Sequence, residues 1–275
     1  MRDMLFDLHT HTDCSDGSLS PAELAAYALE YGVDVLAITD HDTVSAFAQL
    51  ETSAEAVPQL ITGIELSCLW HRRLIHIVGL RIDLASETLA AAIEQQRKVR
   101  LGRAETIAKR LEKLGVEDPL DDVLIRSGGN PGRPHFAAHL VDIGFVKDEK
   151  TAFKRYLGAG KIGDVKESWP SIDAAVGWIV AAGGQAVLAH PAKYKMTKTR
   201  LRRLVGDFKQ AGGVAVEVCS GSQDPATTSA LARITNEAGL LASAGSDFHH
   251  RSQSWSQPGR YTRLPPGVAP LWDTW

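Results

Sequence analysis

The chain has 275 residues and a formal net charge of −3, with 44% hydrophobic and 23% charged residues. This composition is typical of a soluble globular protein, and no apolar run approaches the roughly 18 residues of a membrane helix, which excludes a membrane span and a membrane partner. The N-terminus reaches Asp3 and Asp7 without the apolar stretch of a secretory signal, so we expect a cytoplasmic protein, and nothing indicates an obligate protein partner.

Seven short apolar runs predict β-strands. In chain order they are MLFDL, VDVLAIT, QLITGI, LIHIVGL, QAVLA, VAVEV and LLASAG. Helical patterns separate most of these runs, which is typical of βα units around a largely parallel sheet. The first helix has Ser20 as its N-cap, Pro21 at its first position and Glu23 to complete a capping box, and Gly32 ends it.

The middle of the chain breaks this alternation, because from Ser86 to about Gly160 it contains amphipathic helical patterns and no convincing strand. SETLAAAIEQQRKVRLGRAETIAKRLEKLG predicts one long helix with a candidate kink at Gly102, and PLDDVLIRSGG, RPHFAAHLVDIG and DEKTAFKRYLGAG predict three shorter ones. The alternation resumes with a helix that begins at Ser171. We therefore predict an α/β barrel made of residues 1–85 and 170–275, with a helical insertion at residues 86–169.

The C-terminal segment SQPGRYTRLPPGVAPLWDTW is too rich in Pro and Gly for a regular element, and its tryptophans are expected to pack against the body of the protein. Cys14, Cys68 and Cys219 are too scattered for a disulfide framework or a CxxC zinc site. We expect them to be small buried hydrophobic residues.

Candidate metal ligands follow the predicted strands at the points where the strands end. They are His9 and His11 after the first strand, His41 between Asp40 and Asp42 after the second, Glu65 after the third, His190 after QAVLA, and Asp247 and His249 after LLASAG, while His76 lies within LIHIVGL. Strand ends converge on one face of a βα barrel, and residues two apart in a strand face the same side. A single HxH pair is weak evidence for a metal site, and His76 or His190 alone could be a packed histidine. Because so many candidate ligands occur at or beside strand ends, the sequence favours a single metal site that they share.

Mixed imidazole and carboxylate ligands are typical of Mn, Zn or Fe sites and poorly suited to Ca or Mg. The number of candidates exceeds what one ion needs, so we expect two or three divalent ions. Mn²⁺ is the expected metal, with Zn²⁺ or Fe²⁺ as alternatives.

The ordered motifs DLHTHTDCSDGSLSP, AITDHDT, GIELS, HIVGL, LAHP and GSDFH resemble those of the PHP (polymerase and histidinol phosphatase) family. The resemblance implies a distorted (β/α)7 barrel with a trinuclear metal site. It implies that His9, His11, Glu65 and Asp247 bind one ion, that Glu65, His76 and His190 bind a second, and that Asp16, His41 and His249 bind the third. Asp13 is then left as a solvent-facing or supporting residue, and Asp40 is expected to orient His41 or another ligand histidine.

The long helical insertion is most similar to that of the branch containing 3',5'-nucleotide bisphosphate phosphatases and RNase AM-like 5'-to-3' exoribonucleases. Residues 97–169 contain 15 Lys and Arg against 11 Asp and Glu, and this basic excess fits a substrate with more than one phosphate. Arg133 is the first candidate to bind a phosphate, followed by His135 and Lys161. Solvated helix charges and a packed histidine are the alternative reading of these three.

We therefore expect a metal-dependent phosphoric monoester hydrolase that removes the 3'-phosphate from compounds such as adenosine 3',5'-bisphosphate. The expected nucleophile is a hydroxide that bridges two metals, and Asp16, His41 and His249 are the expected catalytic residues at the leaving oxygen. A 5'-to-3' exoribonuclease acting on short 5'-phosphorylated RNA is the main alternative. A histidinol phosphatase, an amidohydrolase and a non-catalytic metal-binding module also remain open, because fold alone does not decide function.

Overall fold

The computed structural model describes residues 4–50, 58–165 and 169–275. Its seven strands form one sheet in sequential order. They are β1 (Phe6–Asp7), β2 (Val35–Ile38), β3 (Gln59–Trp70), β4 (Arg73–Leu80), β5 (Gln185–Leu188), β6 (Ala215–Ser220) and β7 (Leu241–Gly245). Leu8 N donates to Ala244 O at 3.1 Å, and a parallel bridge joins Thr10 to Phe248, so β1 lies beside β7 and the barrel nearly closes. The predicted distorted (β/α)7 barrel is confirmed.

The sheet is not wholly parallel. β4 runs antiparallel to both β3 and β5, whereas the other pairs of neighbours are parallel. β3 also extends six residues beyond the predicted QLITGI run, to Trp70, and forms a hairpin with β4. β4 returns to the barrel and pairs with β5, and the helical insertion follows the end of β4 at Leu80.

Outside the insertion, and apart from the β3–β4 hairpin, helices alternate with strands. The α-helices of the described ranges, including those of the insertion, are α1 (Pro21–Glu30), α2 (Ser45–Leu50), α3 (Glu87–Glu112), α4 (Pro119–Arg126), α5 (Arg133–Asp142), α6 (Glu149–Ala152), α7 (Ile172–Ala181), α8 (Lys198–Gln210) and α9 (Pro225–Ala238). The capping box at Ser20 and Glu23 is formed. α3 is one helix that continues through Gly102, and α6 continues as a π-helix at Phe153–Leu157. No helix in the described ranges is long and apolar enough to cross a membrane.

The insertion has a hydrophobic cluster of its own. Leu111, Phe136 and Leu140 lie in it with other buried residues between 104 and 165, whereas separate clusters line the barrel. At the C-terminus the Trp272 ring stacks on Phe6 with centroids 4.7 Å apart, as expected for a packed tail. A short 3-10 turn at Leu271–Thr274 is an element that the sequence did not predict.

Candidate metal centre

His9 and His11 follow β1 and point to the same side of the chain. Their Nε2 atoms lie 3.1 Å apart, while the intervening Thr10 points away and donates its hydroxyl to Ala37 O at 2.7 Å. Glu65 Oε2 lies 3.3 Å from each of the two Nε2 atoms. Asp247 Oδ1 lies 3.6 Å from that of His9 and 3.4 Å from that of His11. These four side chains converge on one point.

The second carboxylate oxygen of Glu65 faces two other histidines. Glu65 Oε1 lies 3.1 Å from His76 Nδ1 and 2.9 Å from His190 Nε2. Glu65 is fully buried, and its two oxygens face different imidazoles. A carboxylate with this arrangement can bridge two ions.

The remaining predicted ligands, His41 and His249, lie beside Asp16. Its Oδ2 lies 3.7 Å from His41 Nε2, and its Oδ1 lies 3.4 Å from His249 Nε2. His41 Nδ1 lies 2.9 Å from Glu65 Oε2, so this third group adjoins the other two. All nine predicted ligands therefore meet at one end of the barrel.

Tight backbone geometry directs the ligands inward. His190 and Asp247 have φ values of +27° and +54°, so the chain turns sharply where β5 and β7 end. A Cβ on Gly17 would lie 2.4 Å from His11 O, so the loop that carries Asp16 packs too closely for any other residue. Asp13 is exposed in this loop.

Asp40 has a different partner from the expected one. Its carboxylate accepts hydrogen bonds from Thr12 N at 2.7 Å, Thr12 Oγ1 at 2.6 Å and Ser15 Oγ at 2.6 Å. Asp40 therefore fixes the loop between His11 and Asp16 through Thr12 and Ser15. The expected contact between Asp40 and a ligand imidazole is not the one that forms.

The buried carboxylates of the cluster are ionised and need positive charge nearby. Burial opposes ionisation of Glu65, but the imidazoles of His41, His9 and His76 outweigh it and hold the pKa of Glu65 well below its ordinary value. Lys193 and His9 likewise hold the pKa of Asp247 well below its ordinary value against the effect of burial. Several ionised carboxylates buried together need cations for compensation.

The donor atoms fit divalent metals. Glu65 Oε2 and Asp16 Oδ1 are buried, and the imidazole nitrogens that lie 2.9 to 3.9 Å from them do not have the alignment of a hydrogen bond. Burial lowers the pKa of His11 to about 3, so its imidazole is neutral, which is the form that binds a metal.

Glu217 is a supporting residue that sequence reasoning missed. It is buried at the centre of β6, its Oε1 lies 3.1 Å from His9 Nδ1, and its Oε2 accepts the backbone N–H of His190. A carboxylate on the far nitrogen of a histidine orients that ring toward a metal. The signal was present in the sequence, because VAVEV has a single charged residue within an otherwise apolar strand.

A cavity of about 440 Å³ opens onto the cluster. Its lining includes Asp16, His41 and His249 of the cluster, and also Arg100, Arg103, Arg133 and Trp169. The Arg103 guanidinium lies 4.5 Å from the Trp169 ring and that of Arg100 lies 5.5 Å from it. Sequence reasoning identified Arg133 and missed the other two arginines.

Neither of the two weaker phosphate-binding candidates is among the described residues that line this cavity. His135 Nδ1 accepts the backbone N–H of Gly132 at 3.0 Å, which stabilises the start of α5 just before Arg133. Lys161 is exposed and is not among the described residues that line the cavity. Of the three predicted substrate residues, only Arg133 is brought to the cavity.

Known proteins resemble the chain over nearly its full length. The PHP domain model matches residues 7–117. A 3',5'-nucleoside bisphosphate phosphatase of Chromobacterium violaceum is 42% identical over 97% of the chain and 94% of its own length. A 5'-3' exoribonuclease of Haemophilus influenzae is also 42% identical, over 98% of both chains. A structure described as an amidohydrolase from Chromobacterium violaceum with bound sulfate and no metal superposes with a TM-score of 0.90, at 41% identity over 98% of this chain and 95% of its own.

Proposed function

The chain is a phosphoester hydrolase of the PHP domain family, and from that premise we propose that it removes the 3'-phosphate of nucleoside 3',5'-bisphosphates such as adenosine 3',5'-bisphosphate. One observation carries the proposal: the metal-ligand cluster and three buried or partly buried arginines line the same cavity of about 440 Å³. A substrate with two phosphates can present one to the metal ligands and the other to the arginines.

The ligand groups support an assignment to three sites. We propose that His9, His11, Glu65 and Asp247 hold one divalent ion, that Glu65, His76 and His190 hold a second, and that Asp16, His41 and His249 hold a third. Mn²⁺ is the proposed metal, with Zn²⁺ or Fe²⁺ as alternatives. When bound, such ions activate water at neutral pH and neutralise phosphoryl oxygens.

The protein's own side chains orient the reaction. Glu217 fixes the ring of His9, and Asp40 fixes the loop that leads to Asp16. Asp16, His41 and His249 border the cavity, so we propose that this group stabilises the 3'-oxygen as it leaves. The oxygen needs such help because a free alkoxide is a poor leaving group.

Arg103 is the best-supported ligand for the 5'-phosphate. Its Nη1 has no hydrogen-bond partner within the described residues, whereas Arg100 donates from Nε to Asp42 Oδ2 at 2.7 Å. Burial, with Arg133 and Arg100 close by, lowers the pKa of Arg103 to about 9. A bound anion relieves this crowding of buried positive charge, and a guanidinium can bind a phosphate through two hydrogen bonds.

We further propose that residues 86–169 act as a substrate-binding cap. Three observations support this: the region has its own hydrophobic cluster, Arg100 and Arg103 lie on one face of α3, and Arg133 begins α5. His135 supports the cap through Gly132, and a contact of Lys161 with substrate stays a prediction.

A 5'-to-3' exoribonuclease is the second candidate. Hydrolysis of the bond between the 3'-oxygen and phosphorus of a first nucleotide releases phosphate from a bisphosphate and a 5'-mononucleotide from RNA. The same cavity serves both reactions, since each substrate has a 5'-phosphate next to the attacked group. The relative from Haemophilus influenzae and a further groove beside the metal ligands favour this candidate.

The test uses protein reconstituted with Mn²⁺ and four substrates: adenosine 3',5'-bisphosphate, adenosine 3'-monophosphate, histidinol phosphate and a 5'-phosphorylated RNA. Arg103→Ala should lower kcat/KM for the bisphosphate about 10- to 150-fold, the loss of a charged hydrogen bond, and change hydrolysis of the 3'-monophosphate little. Arg97→Ala is the matched control, because Arg97 is exposed on the same helix and pairs with Glu94.

Each other outcome identifies a rival. Fastest hydrolysis of histidinol phosphate would replace the proposal with a histidinol phosphatase. Equal losses of kcat/KM on the bisphosphate and the 3'-monophosphate would show that Arg103 does not recognise the 5'-phosphate. Inactivity on all four would favour a non-catalytic module, or an amidohydrolase if amide substrates are cleaved.

A further inference from the structure

A second cavity adjoins the metal-ligand cluster, and we propose that it binds the second nucleotide of a 5'-phosphorylated RNA, with the base stacked on Trp255. The inference rests on the second candidate function, the 5'-to-3' exoribonuclease, and names the part of the RNA that this cavity binds. The cavity has a volume of about 510 Å³, and we call it the serine groove. Its lining includes Ser220, Ser222, Gln223, Gln253, Trp255 and Ser256.

The position of the serine groove fits the chemistry of stepwise cleavage. Asp16, Asp247 and His249 line both the groove and the arginine-bearing cavity, so the two cavities meet at the metal ligands. In the cleavage step water adds its oxygen to phosphorus, the bond to the 3'-oxygen breaks, and that oxygen takes up a proton. The products are a 5'-mononucleotide and an RNA one residue shorter that keeps the attacked phosphate on its new 5' end.

The second nucleotide is therefore attached to the attacked phosphorus. With the first nucleotide and its 5'-phosphate in the arginine-bearing cavity, the second must occupy different space beside the same ligands. The serine groove provides such space, whereas a mononucleotide bisphosphate has no group to fill it.

Trp255 is exposed on a loop that is firmly held. Its side chain is 59% exposed, while its backbone oxygen accepts the N–H of Ser222 at 2.7 Å. Gln257 is buried beneath the loop and donates from Nε2 to Arg251 O at 3.0 Å and to Gln253 O at 2.8 Å. An indole presented on a fixed loop is a stacking platform for a nucleobase.

The rest of the lining suits a sugar and a base. Ser220 Oγ is buried and has no hydrogen-bond partner within the described ranges, so it can bond to a ribose hydroxyl, the group that distinguishes RNA from DNA. Lys193 is the only Lys or Arg among the described residues that line the groove. This low charge fits one nucleotide held by its base and ribose better than a long phosphate track.

A basic surface nearby is the competing path for the strand. Arg72, Lys195 and Arg200 line a further cavity of about 630 Å³, which shares Arg133 and Lys193 with the arginine-bearing cavity. None of the nine proposed metal ligands is among its described lining residues. The serine groove, which Asp16, Asp247 and His249 line, is therefore the nearer space for the nucleotide joined to the attacked phosphorus, and the basic surface is left for more distant phosphates.

The experiment measures kcat/KM for the Mn²⁺-reconstituted wild type, Trp255→Ala and Trp255→Phe. The substrates are adenosine 3',5'-bisphosphate, a 5'-phosphorylated adenylate dinucleotide, and the same dinucleotide without the base of its second residue. Trp255→Ala should lower kcat/KM for the intact dinucleotide about 5- to 150-fold, the range expected for one stacked base, and Trp255→Phe should lower it less. Activity on the bisphosphate should stay within about two-fold.

The abasic substrate distinguishes stacking from a structural effect. Removal of the second base should slow the wild type by a similar factor and slow Trp255→Ala no further, because the interaction is already absent. Equal loss on all three substrates, or no loss on the intact dinucleotide, would overturn the inference. If Arg72→Ala or Lys195→Ala lowers kcat/KM for the dinucleotide selectively while Trp255→Ala does not, the RNA strand follows the basic surface. That result would overturn the inference as well.

The inference and the proposed function can fail separately. Hydrolysis of the bisphosphate without any hydrolysis of the dinucleotide would overturn the inference alone. Inactivity of the wild type on both substrates would overturn both.

Discussion

Glu217→Gln tests how a residue that touches no substrate controls the metal centre. Glu217 is 2% exposed, its Oε1 lies 3.1 Å from His9 Nδ1, and its Oε2 accepts the backbone N–H of His190. It therefore orients a ligand of the first proposed ion and the strand end that carries a ligand of the second. Glutamine has the same shape but no charge, so the substitution removes the ionic interaction with the imidazole and retains one acceptor.

The expected effect is on metal affinity. Loss of a carboxylate that supports a ligand histidine weakens metal binding about 10- to 100-fold, which corresponds to about 1.4 to 2.8 kcal/mol. Because no atom of Glu217 lines the cavity, kcat at saturating metal should remain within about two-fold of the wild type.

The assay titrates Mn²⁺ into metal-free protein and follows phosphate release from adenosine 3',5'-bisphosphate. Glu237→Gln is the control, because Glu237 is exposed and pairs with Arg202 on the surface. An unchanged half-saturating Mn²⁺ concentration in Glu217→Gln would refute this role, and so would a low kcat that excess metal does not restore.

Three further predictions concern the ligands and the buried charges. His9→Ala and Asp247→Asn should each abolish turnover and leave the far-ultraviolet circular dichroism spectrum unchanged, and activity retained in both would contradict the ligand assignment. Asp42→Ala removes the partner of the buried Arg100, so denaturant unfolding should report a loss of about 3 to 5 kcal/mol, and a loss under 1 kcal/mol would contradict it. In metal-free protein burial lowers the pKa of His76 from 6.5 to about 4, so the unfolded chain binds a proton that the folded protein does not, and stability falls as pH falls through this range. His76→Gln should reduce that slope by up to about 1.4 kcal/mol per pH unit in unfolding measured between those pH values, and an unchanged slope would contradict the account.

The fold was predictable from sequence where the signals were local. Apolar runs located all seven strands, and Ser20 and Glu23 marked the first helix, because capping uses neighbouring residues. The β3–β4 hairpin was missed because its turn lies at His71 and Arg72, which have φ values of +44° and +63°. Such turns normally contain Gly or Asn, so this one left no recognisable signal.

The same distinction applies to the site. The convergence of most of the proposed ligands could be predicted because strand ends meet on one face of any βα barrel, whatever the details of packing. Asp16 was implied only by the resemblance to the PHP family. Arg100 and Arg103 could not, because the face of α3 that meets the cavity depends on how the insertion packs on the barrel. Asp40 was assigned the wrong partner for a similar reason: its contacts to Thr12 and Ser15 join two loops that are distant in sequence.

The central claim is that this metal centre directs water to the phosphorus of a 3'-phosphate. The most direct measurement is hydrolysis of adenosine 3',5'-bisphosphate in oxygen-18 water by Mn²⁺-reconstituted protein, with mass analysis of both products. The account predicts adenosine 5'-monophosphate without label and inorganic phosphate with one labelled oxygen. Label in the nucleotide, or release of the 5'-phosphate in place of the 3'-phosphate, would contradict it.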